Sequence, residues 1–231
     1  MIGILAGMGP RSTAPFIDEV VSACQRLYEA KNDIDFPPMM IYSLPTPFYV
    51  DRPIDHPAME KIICEGLKKL ESTGVEFIAM PCNVAHLYFD RLQGCIRIPL
   101  LNIVTVTLAA IPSGKHRCAI LGTRPTMEAG IYQKGLKAAG IELVQQPHWQ
   151  GIVDELILTI KPGGNAPPLW ERFAKELAME KVDLVLLVDT DLTVVVHGQQ
   201  PFHVIDSSRC LAEATVASYL SAHRDVRHRP R

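Results

Sequence analysis

The chain has 231 residues, room for one large or two small α/β domains. Hydrophobic residues make up 48% and charged residues 21%, which indicates a sizeable core and excludes a disordered chain. A net charge of -2 leaves no electrostatic footprint for nucleic acid or an anionic membrane, and no apolar run approaches the roughly 20 residues that span a bilayer.

The chain enters an apolar run directly, without a basic segment before it, which predicts no signal peptide. Residues 2–6 read as a buried strand. Ser12 or Thr13 then caps a helix to about Ala30, with Pro15 in its first turn. Between them, Gly7-Met8-Gly9-Pro10 either holds an anion on its amides or is a tight turn that needs glycine φ values. It does not make a dinucleotide site. G-x-G-x-x-G is incomplete, and the strand 39–44 ends in Ser43 and Leu44 where an acidic ribose ligand is wanted. The Pro-rich stretch 44–57 is a loop of the length that is often functional. It carries Arg52, whose planar guanidinium suits a substrate carboxylate. A helix over 58–72 and a strand over 77–80 lead to Cys82, with Asn83 placed to cap the next short helix. A strand over 99–101 ends in Asn102.

The second half repeats this order. A strand over 118–121 precedes a helix over 126–139 capped by Thr126. A strand over 142–144, a helical segment and a Gly/Pro-rich loop over 162–168 follow, with Lys161 beside the loop as a second carboxylate-binding candidate. A helix over 169–180 leads to a strand over 184–188, and Asp189 stands at its end. The last strand, 203–205, has Asp206 at its tip and Ser207 capping the final helix. The basic tail 224–231 reads as a frayed terminus.

Two segments share one plan. From Gly74 to His86 the chain reads G-V-E-F-I-A-M-P-C-N-V-A-H, and from Lys181 to Thr193 it reads K-V-D-L-V-L-L-V-D-T-D-L-T. Each is a valine, an acid, an apolar run and a polar tip. The alternation of strands and helices predicts an α/β fold of two pseudo-symmetric domains, each a parallel sheet flanked by helices. The expected domains are 1–104 with 207–231, and 105–206. Ligands bind beyond the carboxyl ends of such strands, so the expected site is a cleft between the domains where Cys82 meets Asp189.

Cys82 follows Pro81 at a strand end, just before a helix, where positive potential favours a thiolate. His86 is four residues on. Asp189 ends a run of five apolar residues, so its carboxylate either is hydrogen-bonded or holds its proton more tightly than usual. Capping by Asp189 or Asp191 is the competing reading, and Thr190 and Thr193 read as hydrogen-bonding lining. The six cysteines include no C-x-x-C pair and no Cys/His cluster at zinc spacing. Cys24, Cys64 and Cys118 are expected as core hydrophobes of a reduced, cytoplasmic protein.

Gly7-Met8-Gly9-Pro10, Pro81-Cys82-Asn83-x-x-His86 and Leu121-Gly122-Thr123-x-x-Thr126-Met127 together resemble the aspartate/glutamate racemase family, over nearly the whole chain. The resemblance implies a racemase that needs no cofactor, in which two cysteines flank the substrate Cα. One removes the proton as thiolate and the other delivers a proton to the opposite face. Cys82 matches the first cysteine. Asn83, Val84 and Thr123 match positions that hold the amino and carboxylate groups, with Val84 in place of the usual threonine. Arg52 resembles a family arginine that binds a side-chain carboxylate, and Met8, Thr190 and Lys161 complete the expected lining. The second cysteine's Gly-Cys-Thr-Glu motif is here Val188-Asp189-Thr190-Asp191. The implied activity is therefore racemisation of a small acidic amino acid, aspartate or glutamate, with Cys82 as one acid/base and Asp189 in the second position. The alternatives are a binding protein that has lost catalysis and a one-cysteine decarboxylase or isomerase of the same superfamily. The expected partner is the amino-acid substrate, and the family's habit extends the expectation to a homodimer.

Overall fold

Ile2–Ala6 (β1) is buried at every residue, as a central strand should be. In the computed structural model, which describes residues 1–49, 52–196 and 198–223, β1 pairs in parallel with Met39–Ser43 (β2) on one side and Phe77–Ala79 (β3) on the other. Residues 50 and 51 of the predicted 44–57 loop, and the tail read as frayed, lie outside the described residues. The stretch 99–101 joins this sheet by one parallel bridge, Ile78 to Leu100. The second sheet has the order β5-β4-β6-β7. Its central strand Arg117–Leu121 (β4) lies between Glu142–Leu143 (β5) and Leu184–Leu187 (β6), with His203–Asp206 (β7) beyond. Every pairing is parallel. The first order, β2-β1-β3 and then Leu100, is the same plan.

Helices cover both sheets. Thr13–Tyr28 (α1) and His56–Glu71 (α2) belong to the first unit, and the Asp55 carboxylate caps α2 by accepting the Ala58 amide at 3.0 Å. Phe89–Gly94 (α3) and Ile103–Ala109 (α4) are short. The helix expected over 126–139 is two helices, Arg124–Ala129 (α5) and Gln133–Ala138 (α6). Gly130 breaks it at a left-handed φ of 64°, a conformation that ends helices and that glycine adopts without strain. Thr123 occupies the N-cap of α5, and Thr126 is buried inside the helix instead of capping it. Trp149–Ile160 (α7) and Pro167–Met179 (α8) pack on the second sheet. Trp170, Phe173, Ala174 and Leu177 form a stripe at helical spacing on α8 and join Trp149, Val153 and Leu156 of α7 in one core.

The chain divides into two compact units, Met1–Ile103 with Leu211–Arg231, and Val104–Cys210. The last helix, Ser207–Ala222 (α9), begins in the second unit and continues in the first. The sequence placed the divisions at 104/105 and 206/207.

One sequence expectation needs correction. Cys64 in α2 is not a core hydrophobe. It is half-buried and disulfide-bonded to Cys95, which follows α3, with Cα atoms 5.9 Å apart. The partners are 31 residues apart, and no local spacing announces such a pair. Cys24 and Cys118 are buried free thiols, as expected, and burial pushes the Cys118 thiol up to about 12. Among the described residues no helix is long and apolar enough to cross a membrane.

Candidate active site

In each sheet the chain leaves its first strand to one side and returns on the other. The carboxyl ends of the two adjacent strands then flank a switch point, where open α/β sheets bind ligands. In the first unit these ends are the tips of β1 and β3. In the second they are the tips of β4 and β6.

At the β1 tip, Gly7 has φ 92°, and a Cβ there would lie 2.6 Å from the Leu44 backbone nitrogen. Only glycine fits on both counts. The Gly7 amide donates to Thr13 Oγ1 at 3.1 Å, and the Ser12 hydroxyl donates to the Gly9 carbonyl at 2.8 Å. Ser12 stands at the N-cap of α1 without a capping side-chain bond, so both expected cap residues bind the turn instead. The Gly7 amide is thereby engaged within the protein. Met8 packs against the same apolar cluster that contains Cys82 and Val84.

At the β3 tip, Cys82 is 7% exposed and Asn83 and Val84 are buried. The Cys82 amide donates to the Met80 carbonyl at 2.8 Å. A 3-10 helix, Val84–Tyr88, follows. Asn83 is its N-cap residue but makes no side-chain capping bond. Five residues of 3-10 helix supply a weaker terminal dipole than the sequence reading assumed.

His86 braces this turn. Its Nδ1 lies 2.7 Å from the Cys82 carbonyl and its Nε2 lies 3.3 Å from the Leu101 carbonyl. A neutral imidazole has one N–H, and the shorter distance assigns it to Nδ1. Burial holds the imidazole pKa below its usual 6.5, against the two carbonyls. The unfolded chain therefore takes up this proton first as pH falls, and stability is lost below about pH 6.5. Urea midpoints at pH 5 and pH 7.5 are expected to separate less in His86→Asn than in the native protein. An unchanged separation would show that another group sets the slope.

At the β4 tip, a Cβ on Gly122 would lie 2.6 Å from Val188 Cγ2, so the two strand ends approach closely. Thr123 Oγ1 lies 3.0 Å from Thr126 Oγ1. At the β6 tip, Asp189 is partly shielded and Thr190 is buried. An Asp189 carboxylate oxygen accepts the Asp191 amide at 2.9 Å, the local turn that aspartate favours. Its pKa is pushed up to about 6, chiefly by burial and then by the charge of Asp191. The Asp191 amide, Lys161 and the Leu192 amide pull the other way. Asp191 is 4% exposed and pairs with Lys161 Nζ at 2.7 Å. Thr193 Oγ1 is buried without a hydrogen-bond partner among the described residues.

Arg52 is exposed, with its guanidinium 4.2 Å from the centre of the Tyr49 ring, a cation–π contact. The first unit thus brings Met8, Cys82 and Val84 into one cluster, and the second joins Asp189, Asp191 and Lys161 in one polar chain. The sequence reading took Asp191 only as a competing cap and did not connect it to Lys161, 30 residues away. Among the described residues no group of His, Cys, Asp or Glu is arranged to hold a metal ion.

The sequence matches the Asp/Glu/Hydantoin racemase family over residues 5–215. It is 50% identical over 225 residues to the broad specificity amino-acid racemase RacX of Bacillus subtilis, covering 96% of this chain and 99% of that one. The fold is similar to aspartate racemase from Picrophilus torridus, with TM-score 0.80 and 29% identity over 94% of this chain and 93% of that one. It is also similar to an aspartate racemase homologue from Pyrococcus horikoshii, with TM-score 0.76 and 26% identity over 94% and 97% of the two chains.

Proposed function

This chain belongs to the Asp/Glu/Hydantoin racemase family, and from that membership we propose that it racemises amino acids at Cα with Cys82 and Asp189 as its two acid/base groups. The observation that carries this reading is positional. Cys82 lies just beyond β3 and Asp189 just beyond β6, strands in equivalent places in two sheets of the same order, and each is followed by a 3-10 helix. Two-base racemisation needs one group on each face of a planar carbanion.

Asp189 suits the second position because of its surroundings. An ordinary carboxylate, with pKa about 3.9, is a weak base with no proton to give at neutral pH. At about 6, Asp189 is a stronger base and spends part of its time protonated. A thiol ordinarily keeps its proton at pH 7, so the resting state assigned here is Asp189 carboxylate and Cys82 thiol. One enantiomer then gives its Cα proton to Asp189 and receives one from Cys82. The other needs the reverse protonation. Because enantiomers are equal in energy, kcat/KM is the same in both directions, and the asymmetry shows in kcat and KM separately. No step in this account uses a cofactor. Asn83 and Val84, with Met8, at the strand tips of the first unit, and Thr123 and Thr190 at those of the second, are the residues proposed to contact substrate.

Arg52 favours an acidic side chain, aspartate or glutamate. A second reading, a wider range of side chains, is favoured by the name of the 50% identical relative and by the exposure of Arg52. Cα deuterium exchange in heavy water across a panel of proteinogenic amino acids tests both, on native protein and on Asp189→Cys. The expected result is exchange of at least one acidic amino acid, equal or lower in the variant. Exchange of no amino acid, or a gain in Asp189→Cys, would contradict the proposal.

A further inference from the structure

Lys161 closes α7 and reaches across its own unit to Asp191, two residues beyond Asp189. Its Nζ lies 2.7 Å from the Asp191 carboxylate, while the Asp191 amide donates to the Asp189 carboxylate at 2.9 Å. Asp191 is almost fully buried, with its side chain 5% exposed, and that of Lys161 is 30% exposed. A buried carboxylate costs too much to leave unpaired, so the lysine is needed where it stands. The β6 tip is therefore a three-membered chain of cation, anion and acid/base group.

We propose that Lys161 and Asp191 are a positioning pair that orients the Asp189 carboxyl and sets its charge state during turnover. This rests on the reading of Asp189 as an acid/base group. It assigns Lys161 a role other than gripping a substrate carboxylate. Asp191 acts on Asp189 in two opposed ways. Its amide stabilises the carboxylate form, and its negative charge disfavours it. Lys161 offsets that charge. Asp206 at the β7 tip accepts the Ser208 amide at 2.8 Å, and Arg124 in α5 pairs with Asp154 at 2.6 Å.

The signs differ for each variant. Lys161→Met leaves the Asp191 charge uncompensated and shifts the Asp189 titration to higher pH. Asp191→Asn keeps the backbone amide but removes the charge and shifts it to lower pH. Each shift is expected to be about one pH unit, the scale of a single nearby charge. Lys161→Arg keeps the cation and is expected to restore the native midpoint. The readout is the titration of Asp189 followed by carbon NMR of the labelled carboxyl in the full chain, with the pH dependence of kcat and KM beside it. Movement of the midpoint in these directions, with the kcat limb moving alongside it, supports the proposal. A raised KM in Lys161→Met with an unmoved Asp189 midpoint overturns it in favour of a substrate-binding lysine. Unmoved midpoints in both variants also overturn it. Should the NMR midpoint move while the kcat profile stays flat, the pair still governs Asp189, but the acid/base reading of Asp189 fails. Thermal melts identify a variant that does not fold, and Lys161→Arg with Asp191→Asn then carries the test alone.

Discussion

Cys82→Ser is expected to lower kcat for racemisation by at least about a thousandfold in both directions, near the upper end of what one general acid/base group contributes. Serine keeps the shape of the side chain but is far too weak an acid to form the base that a thiol supplies. The loss should fall on kcat more than on KM, because the contacts proposed to hold the amino and carboxylate groups stay in place. The turn itself should survive. The bonds that fix it are the Cys82 amide to Met80 and the Cys82 carbonyl to His86, and neither uses the sulfur. Circular dichroism of released product, with a thermal melt as folding control, measures both quantities. A folded variant with a tenth or more of native turnover would remove Cys82 from the chemistry.

Asp189→Asn separates catalysis from stability. The amide neither takes nor gives a proton at neutral pH, so turnover is expected to fall about a hundredfold or more. Its oxygen still accepts the Asp191 amide, which preserves the turn. Stability should move the other way. The folded state holds the Asp189 proton to about pH 6, whereas the unfolded chain releases it near 3.8. Ionising Asp189 in the folded protein therefore costs nothing below 3.8, progressively more between 3.8 and 6, and its full amount above 6. Two pH units correspond to about 3 kcal/mol, and neighbouring relaxation brings the expected gain for Asp189→Asn at pH 8 to about 1–3 kcal/mol. No gain is expected at pH 3.5. Denaturant titrations at the two pH values check this, and a variant equally stabilised at both would contradict the linkage.

The strands β1, β3 and β6 were legible because they are short apolar runs buried at every residue, and a polar residue just beyond β3 and β6 marks each tip. Cys82 and Asp189 stood out for that reason. The Gly130 break is a glycine inside the helix read over 126–139, a residue that weakens a helical pattern without by itself fixing where the helix ends. Thr123 and Thr126 are both plausible caps, and only the backbone path decides between them. The Lys161–Asp191 pair and the Cys64–Cys95 disulfide were not legible. Each joins positions about 30 residues apart, and neither leaves a periodic trace. The same holds for His86. The sequence shows His86 four residues after Cys82, and the structure aims the ring at two backbone carbonyls.

The most direct test of the two-base account is the early isotope distribution in heavy water, started separately from each enantiomer of an active amino acid. Each of the two groups, when protonated, carries a single exchangeable proton. The account predicts that product carries solvent deuterium at Cα while recovered starting enantiomer keeps its original hydrogen, in both directions. Deuterium entering the starting enantiomer as fast as the product would mean that one group serves both faces, and would contradict paired roles for Cys82 and Asp189.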